Sequence, residues 1–184
     1  VSGGLHGVGA SVVNALSTKL EAWVHREWKI FYQSFQVWVP DGDATVIWKT
    51  DKKGTIIKFY PDASIFKITT EFDYKTIVNR LRQQAYLTKG ITLTIFDERA
   101  DEKFRFYFEG GIKSYVNFLN KSEEGIGDIF YVEKERNDIN VEISFQYNKE
   151  YTDNIISFVN NIHTPEGGSH MVGFRTGLTR TINK

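Results

Sequence analysis

The spacing of apolar residues changes along the chain, and each change marks an element. Val13, Leu16 and Leu20 recur at helical spacing and predict a helix over residues 10–20. Glu21–Arg26 and Lys29–Val39 then read as two strands; in the second, Phe31, Phe35 and Val37 alternate with polar neighbours. Asp41-Gly42 and Lys52-Lys53-Gly54 are turn signals, and Thr45–Trp48 and Thr55–Tyr60 read as further strands. With no helix between them, these strands predict an antiparallel meander. Helical spacing returns in Phe72–Leu87, where Tyr74, Ile77, Val78, Leu81 and Tyr86 line one face. Ile91–Phe96 and Lys103–Phe108 predict a hairpin, and Ile112–Leu119 a helix after Gly110-Gly111. The polar stretch Asn120–Asp128 is the expected domain boundary. Strands are expected at Ile129–Glu133, Asn140–Tyr147 and Ile155–Val159, then a loop over Thr164–His170 and a closing helix over Met171–Ile182.

Composition narrows the class. The 184 residues suit one domain, or one and part of another. Lys plus Arg and Asp plus Glu are each 23, which argues against a module that binds nucleic acid mainly by neutralising phosphates. Hydrophobic residues at 41% are enough for a real core. The absence of cysteine excludes disulfides, thiolate metal sites and cysteine nucleophiles. No apolar run reaches the roughly 20 residues that span a bilayer, so no membrane is expected as a partner. The chain starts on Val1, within a glycine motif, and is expected to be an interior cut of a longer protein.

The chemistry is concentrated at the start. Ser2–Gly9 holds four glycines in eight residues and feeds a helix. Such a loop offers backbone N–H groups and a helix dipole to an anion, typically phosphate. It is neither a Gly-Lys-Ser/Thr phosphate loop nor a dinucleotide fingerprint. By itself it could equally be a tight connection whose glycines serve steric needs.

The residues carry more than spacing. Ser2-Gly-Gly-Leu-His-Gly-Val-Gly-Ala-Ser-Val-Val-Asn-Ala-Leu-Ser17 resembles the ATP-lid motif of bacterial type IIA topoisomerase B subunits, those of DNA gyrase and topoisomerase IV. Gly54-Thr55 with Pro61-Asp62, Phe72-Asp-Tyr, Asn79-Arg-Leu-Arg, Glu109-Gly-Gly-Ile-Lys and Tyr115-Val-x-Phe-Leu-Asn120 are similar to further family motifs. So are Gln146-Tyr-Asn148, Asn154-Ile-x-Ser-Phe-Val-Asn-Asn161, Glu166-Gly-Gly-Ser-His170 and Gly173-Phe-Arg-x-x-Leu-Thr-Arg180, all in family order. Chaperones of the heat-shock 90 type, mismatch-repair ATPases and histidine kinases share the glycines but place other residues between them.

The resemblance implies an α+β chain. Residues 1–119 would be the rear part of a GHKL-type (Bergerat) two-layer α/β ATPase domain. Residues 120–184 would start a transducer domain like the second domain of ribosomal protein S5. It implies ATP as ligand, with Gly4, Leu5, His6, Gly7, Val8 and Gly9 at its phosphates. Thr55 would help hold the adenine through its hydroxyl and an ordered water. Arg26 would stand at the outer edge of the pocket. Without the resemblance, Thr55 is a strand threonine and Arg26 a surface arginine. For His6 the N–H rather than the imidazole is expected to matter.

The family's general base, magnesium ligand and adenine-reading aspartate would lie upstream of Val1. Its catalytic lysine would sit in a Gln-Thr-Lys loop downstream of Lys184. No catalytic residue and no metal ligand is assigned within the chain, and the segment alone is expected not to hydrolyse ATP. The implied partners are a DNA-cleaving A subunit, a second B subunit on ATP binding, and DNA as substrate of the whole enzyme, in the cytoplasm. The alternative is a non-catalytic nucleotide-binding or interaction module of the same fold. An upstream Glu-x-x-x-Asn and a downstream Gln-Thr-Lys in the parent chain would separate the two.

Two details complete the expectations. Trp28 suits positive φ poorly, so the Glu27-Trp28 turn is expected to be wider than two residues. Glu166-Gly-Gly-Ser-His170 matches no zinc spacing and reads as a transducer turn, with Ser169 capping the last helix.

Overall fold

The computed structural model describes residues 6–121 and 124–184. They form two compact units, one running up to Phe72 and the other from Asp73 to Lys184.

The first unit opens with α1 (Gly9–Ala15), shorter than the expected helix. Ser17 Oγ donates to the Val13 carbonyl at 2.6 Å, and from Ser17 the backbone enters β1 (Ser17–Arg26). Leu20, expected on a helical face, is instead buried on β1, paired with Phe35 and Phe59. Strand pairing on both edges of β1 overrides the local helical spacing.

The other strands are β2 (Lys29–Gln36), β3 (Val39–Pro40), β4 (Thr45–Lys49) and β5 (Gly54–Pro61). All pairings are antiparallel, but the sheet is not a meander. Both β3 and β4 pair with β2, whereas β5 crosses back to pair with β1. A period of two tells which face a side chain takes; it does not tell which strand lies next door. Ala22 and Ile57, like Val24 and Thr55, are directly paired and share one face.

The β1–β2 and β2–β3 turns are both two residues long. Arg26 pairs with Lys29 around Glu27 (φ 53°) and Trp28 (φ 63°), so the turn is not widened. Gln36 pairs with Val39 around Val37 (φ 45°) and Trp38 (φ 65°), which splits the strand expected over residues 29–39. Mirror-image turns match the twist of a hairpin, and that geometry is imposed here on residues that disfavour it.

The second unit opens with α2 (Tyr74–Leu87), capped by Asp73, whose Oδ1 accepts from the Thr76 amide at 2.7 Å. The hairpin of β6 (Leu93–Asp97) and β7 (Glu102–Phe106) packs on it, followed by α3 (Gly111–Leu119). Val78, Ala85 and Phe106 are buried together, flanked by Tyr74, Leu81, Leu93, Ile95 and Phe108. Tyr86 lies among the rings of Phe108, Tyr115 and Phe118.

The long hairpin of β8 (Gly125–Arg136) and β9 (Ile139–Asn148) comes next, with a register shift between Ile126 and Phe130. A short hairpin of β10 (Phe158–Val159) and β11 (Ile162–His163) leads to α4 (Ser169–Ile182). Ser169 is the first residue of that helix and not its cap. Gly168, at φ 147°, holds the cap position with no side-chain bond, so the expected Ser169 cap is not formed.

Candidate nucleotide-binding site

Gly4 and Leu5 lie outside the described residues. From His6 the loop is exposed and runs straight into α1. Gly7 takes φ 64°, a conformation that L side chains rarely adopt. Val8 stands at the N-cap and Gly9 is the first helical residue. The Val8 carbonyl accepts from the Val12 amide at 2.9 Å, so intrahelical bonding begins with that amide. The amides of Gly9, Ala10 and Ser11 precede it and have no partner within the helix. Among the described residues no side chain caps them, and no acidic residue lies in the first turn. Among the described residues this end of the helix therefore presents donors with no partner, chemistry that fits a phosphate oxygen.

Arg26 ends β1, and Thr55 lies beside that end of β1 on β5. Thr55 pairs with Val24, and Arg26 follows Val24 by two residues, so both belong to the same face of the sheet. Thr55 is exposed. The Arg26 guanidinium is held by its neighbour in the turn, with Nε donating to Glu27 Oε1 at 2.9 Å. Among the described residues no hydrogen bond or ion pair joins the loop to Thr55 or Arg26.

Glu27 was not singled out in the sequence. The signal available was an adjacent opposite charge at the one hairpin turn next to Arg26. On the other face of β1, Glu21 accepts from the Tyr32 hydroxyl at 2.8 Å and pairs with Lys19 at 3.1 Å. The Tyr32 bond and the Lys19 ammonium hold its carboxyl below the usual range, which disfavours it as a proton acceptor. No group of three or more His, Cys, Asp or Glu side chains forms a metal site among the described residues. Backbone donors for an anion are thus present, and a magnesium cage is not among them.

The family model described as DNA gyrase B matches residues 111–184. Similarity extends over the whole chain. It is 55% identical to the DNA gyrase B subunit of Bacillus mycoides over 185 aligned residues, covering 100% of this chain and 46% of that protein. Along its whole length the chain is similar to DNA gyrase B subunits. The gyrase B subunits of Halalkalibacterium halodurans and Staphylococcus aureus are 54% and 49% identical, each again over 100% of this chain and 29% of theirs. The chain thus spans less than half the length of these curated relatives. A crystal structure of the 43K ATPase domain of Thermus thermophilus gyrase B, in complex with an aminocoumarin, is similar with a TM-score of 0.86 and 32% identity. The match covers 97% of this chain and 49% of that one. The fold is accordingly the mixed α and β fold of a gyrase B ATPase domain. No helix among the described residues is long and apolar enough to cross a membrane.

Proposed function

We propose that this chain is the ATP-binding and transducer segment of a type II DNA topoisomerase B subunit. Residues 1–119 would complete the ATPase domain, and residues 120–184 would begin the transducer. The observation that carries this reading is the 55% identity to a gyrase B protein along the full chain, glycine loop included.

The loop Gly4–Gly9 would close over the phosphates of ATP with its backbone amides, Gly7 supplying the left-handed turn. Thr55 would orient the adenine end, and Arg26, steered by Glu27, would border the pocket mouth. Magnesium would offset phosphate charge when bound, held by residues outside the described ones. Binding would draw two B subunits together around DNA, and an A subunit would cut the DNA to be crossed. The cytoplasm is the expected compartment. The segment alone would bind or frame the nucleotide without turning it over.

The test is a topology assay of the B subunit carrying this segment, combined with its A subunit, on relaxed and on linked DNA. ATP- and magnesium-dependent change of supercoiling or linkage is expected. If DNA topology is unchanged at saturating ATP, the enzyme reading fails and the chain is a binding module that kept the fold.

A further inference from the structure

Lys89 lies between α2 and β6, before the stretch matched by the gyrase B family model. Its ammonium nevertheless reaches the β8–β9 hairpin inside that stretch. Nζ is 2.5 Å from Tyr131 Oη, 2.7 Å from Glu142 Oε1 and 3.1 Å from Glu133 Oε2. The Tyr131 hydroxyl is also 2.8 Å from each of those carboxylates. One cation thus holds two carboxylates on neighbouring strands, with a phenol between them.

The stem of Lys89 is held as well. Gly111, the first residue of α3, takes φ 52°, and a Cβ there would collide with Cε and Cγ of the lysine. Only glycine admits the stem so close to the backbone. The residue is therefore threaded past the start of α3 and anchored on both strands beyond it. Burial opposes its charge, but the bonds to Glu142, Tyr131 and Glu133 outweigh that and raise its pKa. Without the ammonium, Glu133 and Glu142 would face one another as like charges with only the Tyr131 proton between them. The strands would then repel where they now converge.

We propose that Lys89 is the coupling pin of this segment, a positioning residue through which the α2–β6 connection and the start of α3 hold the β8–β9 hairpin. Movement of α2 and α3 then reaches the hairpin as a rigid displacement rather than being lost in side-chain play. The inference rests on the topoisomerase reading above. It concerns transmission, not binding or hydrolysis.

The experiment uses the full B subunit with its A subunit and reads two rates together, ATP turnover in the presence of DNA and strand passage. For Lys89→Met, ATP turnover is expected to stay within about twofold while strand passages per ATP fall at least about fivefold. Lys89→Arg, which keeps the charge, is expected to recover the ratio to within about twofold. An unchanged ratio in Lys89→Met overturns the proposal, and so does an equal fall in both rates, which would mark a merely structural lysine. Should Lys89→Met fail to fold, Glu142→Gln serves, with the same ratio read and the same outcomes. If the unsubstituted enzyme shows no ATP-dependent strand passage, the topoisomerase reading has failed rather than the pin.

Discussion

Tyr86 lies flat against Phe108, with ring centroids 3.7 Å apart and planes inclined by 14°. Tyr115 continues the stack at 4.9 Å, so a helix, the segment after a hairpin and a second helix meet on one tyrosine. Tyr86 is only 4% exposed. Tyr86→Ala is expected to destabilise the second unit by about 3–5 kcal/mol, because three elements cannot all collapse into the space left. A double-mutant cycle with Phe108→Ala should return a coupling of about 0.5–1.5 kcal/mol. Urea unfolding of the four proteins checks both figures.

Trp28 at φ 63° occupies a position that suits glycine or asparagine. Replacing it removes a left-handed side chain while keeping the Arg26–Glu27 pair. Trp28→Gly is expected to gain about 1 kcal/mol, since relief of strain exceeds the added freedom of the unfolded chain. Placed at Ala22, in mid-strand, the same glycine should lose stability. Thermal melts of the two variants should shift in opposite directions.

In the glycine loop, backbone shape and imidazole chemistry make different predictions. Gly7→Ala forces a Cβ onto φ 64° and is expected to weaken the parent protein's ATP binding about tenfold. His6→Ala leaves the amide in place and is expected to change affinity by less than about threefold. Titration calorimetry with a non-hydrolysable ATP analogue reads both. The reverse ranking would move the phosphate contact from the backbone to the side chain.

Acid should act through Glu133. The Asn140 amide, the Tyr131 hydroxyl and the Lys89 ammonium lower its pKa from 4.5 to about 2. A carboxyl depressed in the folded state stabilises above its unfolded pKa, and that contribution fades as pH falls through the folded value. The contribution is therefore complete above about pH 4.5 and lost toward pH 2. Urea midpoints between those limits should fall less steeply in Glu133→Gln. At the alkaline end the sign reverses. The raised pKa of Lys89 contributes fully below its ordinary 10.5 and is lost only as pH climbs past that value.

Elements with one strong local period were legible in the sequence. The face of α2 and the strands of the β6–β7 and β8–β9 hairpins appear within a few residues of their expected places. The lid motif and its neighbours pointed to the family before any geometry did. What was not legible depended on partners distant in sequence. Leu20 fits a helix by spacing and is a strand residue only because β2 and β5 flank it. The positions of Trp28 and Trp38 follow from strand register, which overrides their own preference. Ser169 resembles a cap, but the chain bends one residue earlier, at a glycine free to take φ 147°. Glu27 and Lys89 gave no motif. Their roles arise from what the fold sets beside them.

The return of β5 to β1 has a consequence for synthesis. β1 can pair with β2 as soon as the first hairpin emerges, but its other edge must wait for residues 54–61. At translation rates of about 5–20 residues per second, that wait is roughly 2–7 s. An open edge is an invitation to a neighbouring nascent chain. Lys19, Glu21, His25 and Arg26 punctuate β1 with polar and ionic groups, so the strand stays unattractive to strangers until its own late partner arrives.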